Sequence, residues 1–262
     1  MNKMKWTQIA LTASLLIMVS AVATQATVLR AFVSSTGNDA NAASNCPQAT
    51  PCKTFAGAFP VVTPGGELVA LDTSGYGPLT INKAITIATV PGVTAFVVAA
   101  TGTSAFTVSA GATDLVILRN INFNGSNAAS TTGITHTSGK LFIQDCKFAQ
   151  LTTGFSTVAK VDLINCDFTG NNTGVLSTGQ GTESPSVATS TAQVRISGGN
   201  ITNNMVGISQ ANPGTNCFNI FVYAPNGVNV GNLIGNVTNQ NCTGTCTNGG
   251  SPATFNYGAT LH

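Results

Sequence analysis

Apolar and polar residues alternate in an eight-residue phrase that occurs four times in the chain. The two closest copies are LFIQDCKF at Leu141–Phe148 and VDLINCDF at Val161–Phe168, and looser copies stand at Val116–Phe123 and Val194–Ile201. The copies begin 25, 20 and 33 residues apart. A repeat of roughly 20–50 residues is typical of a solenoid, in which each repeat stacks on its neighbours. The pattern therefore predicts an all-β solenoid.

The alternation within a phrase predicts which side chains form the core. Successive side chains of a strand point to opposite faces, so positions 1, 3, 6 and 8 point inward. In one copy these are Val161, Leu163, Cys166 and Phe168. Position 5 is the predicted bend, because Asn, Asp and Gly accept the left-handed conformation that a bend can require. The four bend residues are Asn120, Asp145, Asn165 and Gly198.

Stacking places equivalent positions of successive copies about 4.8 Å apart. The last positions should then form an internal apolar stack of Phe123, Phe148, Phe168 and Ile201. A Gly followed by an apolar residue comes after each phrase, at Gly133-Ile134, Gly154-Phe155, Gly174-Val175 and Gly207-Ile208. Cys146 and Cys166 share position 6, and their expected Cα separation falls inside the disulfide range of roughly 4.4–6.8 Å. Nearly parallel Cβ vectors favour two buried thiols over that bridge.

The segments before the first phrase predict short strands and one helix. Leu29–Asp39 alternates and then breaks into turn residues, which predicts an edge strand or a capping strand. Phe55, Ala58 and Phe59 lie at helical spacing within Lys53–Val62, which predicts a short capping helix that ends at Pro60. A turn is expected at Pro64-Gly65-Gly66. The predicted strands that follow are Glu67–Asp72, Leu79–Ile81, Ala84–Ile87, Phe96–Val98, Phe106–Val108 and Val116–Leu118.

Composition and charge exclude several classes of partner. Only 7% of the 262 residues are charged, against a usual share of roughly 25%. Lys3 and Lys5 precede the apolar run Ile9–Val22 and a small-residue exit, which predicts a cleaved secretory leader at residues 1–26. The apolar run is shorter than the roughly 20 residues that span a bilayer, so no stable membrane insertion is expected after leader removal. The remaining 8 basic and 8 acidic residues balance, so no nucleic-acid partner is expected.

Seven cysteines in an exported chain permit disulfides. Cys46 and Cys52 bracket a tight loop with two prolines and are predicted to pair. For Cys242 and Cys246, a small-ring disulfide competes with a pairing to Cys217. No metal site and no cofactor are expected, because His136 and His262 lack ligand spacing.

The chain from about Leu29 through the four phrases resembles a known family, and the specific part of the resemblance lies at its N-terminal end. FVSSTGNDANAASNCPQATPCKTFAGAF is followed by PGGELVALDTSGYGPLTINKAITI, which places a cysteine loop, a TFAGA segment, a GGE strand and a GYGP turn in a characteristic order. This order resembles a family of exported bacterial right-handed parallel β-helix repeat proteins of the pectin-lyase-like superfamily. The resemblance implies a secreted protein, periplasmic or extracellular, and implies no established activity.

The expected fold class is therefore all-β, a single-stranded right-handed parallel β-helix with a short N-terminal capping helix. Residues 1–26 form the leader and residues 27–66 form an N-terminal cap with the Cys46/Cys52 loop. The β-helix spans residues 67–240, and residues 241–262 form a C-terminal cap or tail. The insert Ser177–Ala192 should emerge as a loop, either idle or able to bind a partner.

Candidate catalytic groups are few. Lys147 and Asp167 share outward position 7 of adjacent copies, and Asp162 and Arg195 share outward position 2, which is typical of structural ion pairs. Asp145 occupies a bend. We expect a non-catalytic exported scaffold whose partner is a polysaccharide or a cell-envelope component. The alternatives are a pectin-lyase-like lyase or hydrolase, which needs two or more acids and a base on one face, and an assembly subunit that stacks end to end.

Overall fold

The computed structural model describes residues 27–178 and 193–211, together with three short strands at 219–222, 238–243 and 256–257. Side chains are described for residues 27–178 and 194–209. Four predictions lie outside the described residues or side chains. These are the leader at 1–26, the insert Ser177–Ala192 beyond residue 178, the pairing of Cys217, Cys242 and Cys246, and most of the C-terminal cap.

Strands are the main regular structure in the described part of the chain. The strands are β1 Val28–Val33, β2 Val62–Ala70, β3 Leu79–Ile81, β4 Ile85–Thr89, β5 Ala95–Val98, β6 Ser104–Ser109, β7 Leu115–Arg119, β8 Ile121–Asn124, β9 Thr132–Ser138, β10 Lys140–Gln144, β11 Lys147–Ala149, β12 Thr153–Thr157, β13 Val161–Thr169, β14 Thr173–Ser177, β15 Gln193–Thr202, β16 Val206–Ala211, β17 Asn219–Val222, β18 Thr238–Thr243 and β19 Asn256–Tyr257. Within the described residues the one α-helix, α1, is Phe55–Ala58.

The strands form two parallel sheets. The first has 12 strands, nine of which follow the order β1-β2-β4-β7-β10-β13-β11-β8-β5. The other three continue from β13, because β15 pairs with β13, β17 pairs with β15, and β19 pairs with β17. Strand β13 pairs with β10 along its first half and with β11 along its second half. The second sheet has seven strands in the order β18-β16-β14-β12-β9-β6-β3. The expected all-β class with parallel pairing is confirmed.

The predicted register of the phrase is confirmed. In β13, Val161, Leu163, Cys166 and Phe168 are buried, and the residues between them are partly or fully exposed. The bend residues all have left-handed backbone conformations, with φ of 60° at Asn120, 54° at Asp145, 51° at Asn165 and 71° at Gly198. Each phrase thus makes two strand segments with a sharp change of direction between them.

The aromatic stack is the centre of the core. Phe123 and Phe148 have ring centroids 4.9 Å apart, and Phe148 and Phe168 are 4.5 Å apart with planes only 3° from parallel. Phe168 is in register with Ile201. The stack extends towards the N-terminus through Phe106, which meets Phe123 edge to face at 5.1 Å. Phe55 of α1 packs on Phe106 at 5.9 Å, so the helix is part of the same core.

Three glycines allow the strands of the second sheet to approach closely. A Cβ on Gly133 would lie 2.4 Å from the carbonyl oxygen of Gly154, and a Cβ on Gly154 would lie 2.5 Å from that of Gly174. Gly174 meets Gly207 in the same way at 2.5 Å. The Gly that follows each of the first three phrases is therefore required by the spacing between neighbouring strands.

The capping helix differs from its prediction. α1 ends at Ala58, and a 3-10 turn at Phe59–Val61 continues through Pro60 instead of ending there. Proline is tolerated in the first turn of a helix because its missing N–H has no partner there. Lys83 Nζ closes this end by donating to the carbonyls of Phe59 at 2.8 Å and Val62 at 2.5 Å, and burial lowers the pKa of Lys83.

The turn predicted at Pro64-Gly65-Gly66 is wrong. Strand β2 runs through these residues, and they form an irregularity in it. The partners of β1 jump from Val28↔Val62 to Arg30↔Glu67, so β2 carries the extra residues at this point. Gly65 has a φ of 80° and donates its N–H to the carbonyl of Ala84 at 2.7 Å. A bulge in a paired strand uses the same residue types as a turn.

Strand β1 lies at the end of the first sheet, as predicted for an edge strand. Its outer side is covered by the loop between Cys46 and Cys52. Phe32 N donates to the carbonyl of Cys46 at 2.9 Å, and Cys52 N donates to the carbonyl of Phe32 at 3.0 Å. Cys46 and Cys52 form a disulfide, so the predicted pairing is confirmed.

Candidate functional site

The five candidate catalytic residues occupy different positions in the phrase. Asp145 lies at a bend, Asp162 and Arg195 precede a bend, and Lys147 and Asp167 follow one. Arg195 and Asp162 form an exposed ion pair at 3.7 Å, as their shared register predicts. Lys147 and Asp167 are also register partners. Within the described chain, however, they do not form an ion pair, because Asp167 Oδ1 instead accepts from the N–H and Nδ2 of Asn200 at 3.0 and 2.9 Å.

Asp145 has a structural role at the bend. Its Oδ1 accepts a hydrogen bond from Asn165 Nδ2 at 2.6 Å, which links two consecutive bend residues. Asp162 precedes the bend at Asn165 and Asp167 follows it, so these acids lie on differently directed outer surfaces. Exposed pairs of this type contribute about 0–1 kcal/mol to stability. The structure does not bring the candidate acids together.

Cys146 and Cys166 are buried free thiols, so the bridge considered above is not formed. Cys146 Sγ accepts from the N–H of Ile121 at 3.5 Å, and Cys166 Sγ donates to the carbonyl of Ile164 at 3.4 Å. Burial raises the pKa of Cys146 well above its usual value and that of Cys166 to about 12. Both are inert core residues, because the thiolate is the reactive form.

Replacing both Cys146 and Cys166 with alanine should lower by two the number of thiols that react with a chromogenic reagent in denaturant without reductant. The reason is that both sulfurs are free and become accessible when the chain unfolds. In folded protein the two should stay unreactive. Equal thiol counts for the denatured wild type and the denatured double variant would show that the sulfurs are bonded to each other.

A buried polar network near the N-terminus was not predicted from the sequence. Tyr76 is fully buried, and its hydroxyl donates to Asp72, whose Oδ1 lies 2.5 Å away. Ser34 and Ser35 also donate to the Asp72 carboxylate, at 2.7 and 3.0 Å. Burial and the carboxylate together raise the pKa of Tyr76. Burial also tends to raise the pKa of Asp72, but these hydrogen bonds outweigh that effect and lower it. The network joins β1 to the segment after β2.

His136 is the second unpredicted group. It is buried in β9, and its Nδ1 lies 2.9 Å from the Thr157 hydroxyl. That hydroxyl donates to the carbonyl of Ala159 at 2.8 Å, so Nδ1 carries the proton in this hydrogen bond. Burial lowers the pKa of His136 to about 4, so the ring is neutral at pH 7. The Gly-apolar pairs predict inward positions two residues later, which are His136, Thr157 and Ser177.

Hydroxyl groups line part of the outer surface of the second sheet, in one row from β3 to β12 that ends at Leu176 of β14 and in a second row from β6 to β14. Two sets of in-register residues form what we call the hydroxyl columns, and all eight are partly or fully exposed. The first column contains Thr80, Thr107, Thr135 and Ser156, and the second contains Ser104, Thr132, Thr153 and Thr173. Ser104 Oγ and Thr135 Oγ1 lie 2.7 Å apart, so the columns also contact each other.

A cleft of about 200 Å³ opens beside the second hydroxyl column. Three successive turns form it: residues 127–129 before β9, residues 150–152 before β12, and residues 170–172 before β14. Its polar lining comes from Asn127, Gln150, Thr152 and Asn172, and no charged residue takes part. Thr152 and Asn172 immediately precede Thr153 and Thr173, so the cleft and the column are adjacent.

Two classes of site are not found in the described residues. In the part of the chain that is described, no three His, Cys, Asp or Glu residues lie together as a metal site would require. In that same part, no helix has the length and apolar character needed to cross a bilayer.

Comparison with protein-family models, with curated proteins and with solved structures finds no match to this chain.

Proposed function

We propose that the chain is an exported single-stranded right-handed parallel β-helix of the pectin-lyase-like type that binds a neutral glycan without catalysing its cleavage. The β-helix is supported by the pairing pattern, in which each phrase supplies two strand segments and the following Gly-apolar segment supplies a third. Each of the three is paired in parallel with its counterpart in the next repeat. The predicted leader supports export.

The hydroxyl columns are the observation that carries the binding function. Hydroxyl groups both donate and accept hydrogen bonds, as the hydroxyls of a sugar do. Parallel strands repeat them about every 4.8 Å along the sheet, which gives an extended array suited to a polymeric ligand. The array carries no charge in its two columns, so it is matched to a neutral polysaccharide of the cell envelope or the surroundings.

The separation of the acids supports a non-catalytic role. Lyases and hydrolases that act on glycans need acid and base groups that converge on the scissile bond. Asp145 and Asp167 are instead engaged with Asn165 and Asn200 in neighbouring repeats. Asp162 and Arg195 are exposed partners of each other. None of these contacts needs a substrate.

In affinity electrophoresis against a panel of neutral and acidic polysaccharides, a neutral polysaccharide should retard the protein. Incubation of the protein with the same panel should release no reducing ends and no unsaturated products. Thr135→Lys should abolish the retardation, because it places a long charged side chain in the first hydroxyl column. The matched control is Thr86→Lys, since Thr86 is a partly exposed threonine of β4 in the first sheet. Circular dichroism melts would establish that both variants are folded.

Two results would contradict the proposal. The first is equal retardation of wild type and the Thr135→Lys variant. The second is turnover of any polysaccharide that is lost in Asp145→Asn, Asp162→Asn or Asp167→Asn while the fold is intact, which would establish the lyase or hydrolase alternative.

A further inference from the structure

We infer that the cleft beside the second hydroxyl column is a subsite for a single neutral sugar residue, a branch or chain end of the bound glycan. This inference rests on the proposed glycan-binding function and adds to it the position and chemistry of one specific contact. The cleft holds about 200 Å³ and lies at the margin of the columns. Its small volume and its position fit one projecting ring better than an extended chain.

The cleft is preformed. The turn at residues 127–129 is held at both ends by hydrogen bonds. Asn127 N donates to the carbonyl of Gln150 at 3.1 Å, and Gly102 N donates to the carbonyl of Ala129 at 3.1 Å. Thr131 and Thr152 hold the adjacent turns together by reciprocal bonds from each N–H to the other hydroxyl, at 3.1 and 3.2 Å. A rigid site binds with a smaller loss of conformational entropy.

Buried asparagines support the floor of the cleft. Asn171 Oδ1 accepts from the N–H of Leu151 at 3.0 Å, and its Nδ2 donates to the carbonyl of Phe148 at 3.1 Å and to Asn204 Oδ1 at 2.9 Å. Asn171 is only 2% exposed. Its neighbour Asn172 is exposed and lines the cleft, so the buried residue positions the exposed one.

The polar groups that line the cleft are available to a ligand. The side-chain amides of Asn127 and Asn172 are exposed and make no hydrogen bond within the described part of the chain. Gln150 Oε1 accepts one long bond of 3.4 Å from Asn124 Nδ2, which leaves its own NH2 group free. An amide presents a donor and an acceptor side by side, which matches adjacent sugar hydroxyls. A phosphate or uronate would require a cationic partner that this lining lacks.

The backbone at Gln150 points to a ligand as well. Gln150 has a φ of 56°, and the equivalent positions in the next repeats are Gly170 and Asn203, at 66° and 56°. Glycine and asparagine adopt this conformation readily, whereas a glutamine does so at a cost. A long amide side chain therefore stands where the backbone favours glycine, and that side chain lines the cleft.

The test compares Gln150→Gly and Asn172→Ala with the matched amide variant Gln144→Ala, whose side chain is partly exposed on β10 outside the cleft. Methyl glycosides of glucose, galactose, mannose and N-acetylglucosamine serve as neutral probes, and galacturonate serves as the charged probe. Binding is measured by backbone amide chemical shifts. One neutral glycoside should shift the amides of residues 127, 150 and 172 and saturate, while galacturonate should not.

Gln150→Gly and Asn172→Ala should each weaken that binding at least tenfold, and Gln144→Ala should leave it unchanged. Gln150→Gly should keep or raise the thermal midpoint, which separates loss of binding from loss of fold. The inference is overturned if no neutral glycoside shifts the cleft amides, if galacturonate shifts them equally, or if Gln150→Gly binds as the wild type does.

The same variants separate this inference from the proposed function. Suppose that retardation of the protein by a polysaccharide is lost in Thr135→Lys but is unchanged in both cleft variants. The glycan-binding function then stands, and the subsite is contradicted. Saturable binding of a methyl glycoside in the cleft, without retardation of the protein by any polysaccharide, would leave the sugar site standing and would contradict the binding of a polymeric glycan.

Discussion

Phe168→Ala is expected to lower the free energy of unfolding by about 3–5 kcal/mol, the range for removal of a buried aromatic side chain. Phe168 is fully buried and lies flat on Phe148 at 4.5 Å between ring centroids. It also contacts Gly154 of the second sheet, where an added Cβ would lie 2.9 Å from the Phe168 ring. The cavity left by the ring cannot collapse easily, because glycine has no side chain to move into it.

The matched control is Phe142→Ala, which makes the same chemical change on β10. Phe142 points outward and is only partly buried, so its loss should cost clearly less than the loss of Phe168. Urea unfolding at constant pH measures both variants against the wild type. Equal midpoint shifts for the two variants would mean that the phrase has a different register from the one described above.

Acidification from pH 6.5 to pH 4 is expected to remove about 3 kcal/mol of stability through His136 alone. The ordinary pKa of histidine is 6.5, and burial lowers the pKa of folded His136 to about 4. Between these values the unfolded chain binds a proton that the folded chain does not bind. Stability is therefore fully present above pH 6.5 and declines as the pH falls towards 4.

His136→Val isolates this effect, because the register partner of His136 in β6 is Val108 and a valine at this inward position is compatible with the sheet. Urea unfolding of wild type and variant at pH 7.5, 5.5 and 4.5 gives the difference directly. The variant should lose less stability than the wild type over this range. Parallel pH profiles for the two proteins would show that His136 does not titrate as described.

Local alternation predicts the first sheet well. The inward positions, the bends at Asn120 and Asn165, and the Phe148–Phe168 stack follow from strand geometry once the phrase is aligned. These features repeat, so each copy tests the alignment of the others. The Cys46–Cys52 disulfide is likewise a local feature, because the two cysteines have a sequence separation of only 6.

Features that depend on residues far apart in the chain could not be obtained in this way. Gly65 belongs to a bulge instead of a turn because β1 pairs across it, and the 3-10 turn after α1 has Lys83 bound to the carbonyls of Phe59 and Val62. Neither partner is visible from the local sequence. The hydroxyl columns could not be predicted from the local sequence, since their alignment depends on the register of the second sheet.

The candidate site shows the same limit. Position-by-position alignment correctly pairs Asp162 with Arg195, but it cannot show that Asp167 binds Asn200 instead of Lys147. The cleft requires three turns that are separated by about 20 residues each, and it is lined by turn residues that no periodic pattern marks. Gln150 is the clearest signal in retrospect, since it stands where the following repeats have Gly170 and Asn203.

The disulfide loop has a consequence for association between copies of the chain. A strand with a free edge offers unpaired N–H and carbonyl groups to any other strand that it meets, and this is a common route to aggregation. In β1 that edge is already paired with the backbone of Cys46 and Cys52, so ordered strand addition cannot begin there. The disulfide closes the loop that supplies this pairing, and reduction would leave only the hydrogen bonds to hold the loop on β1. The disulfide therefore adds to the protection of this end of the sheet against strand addition.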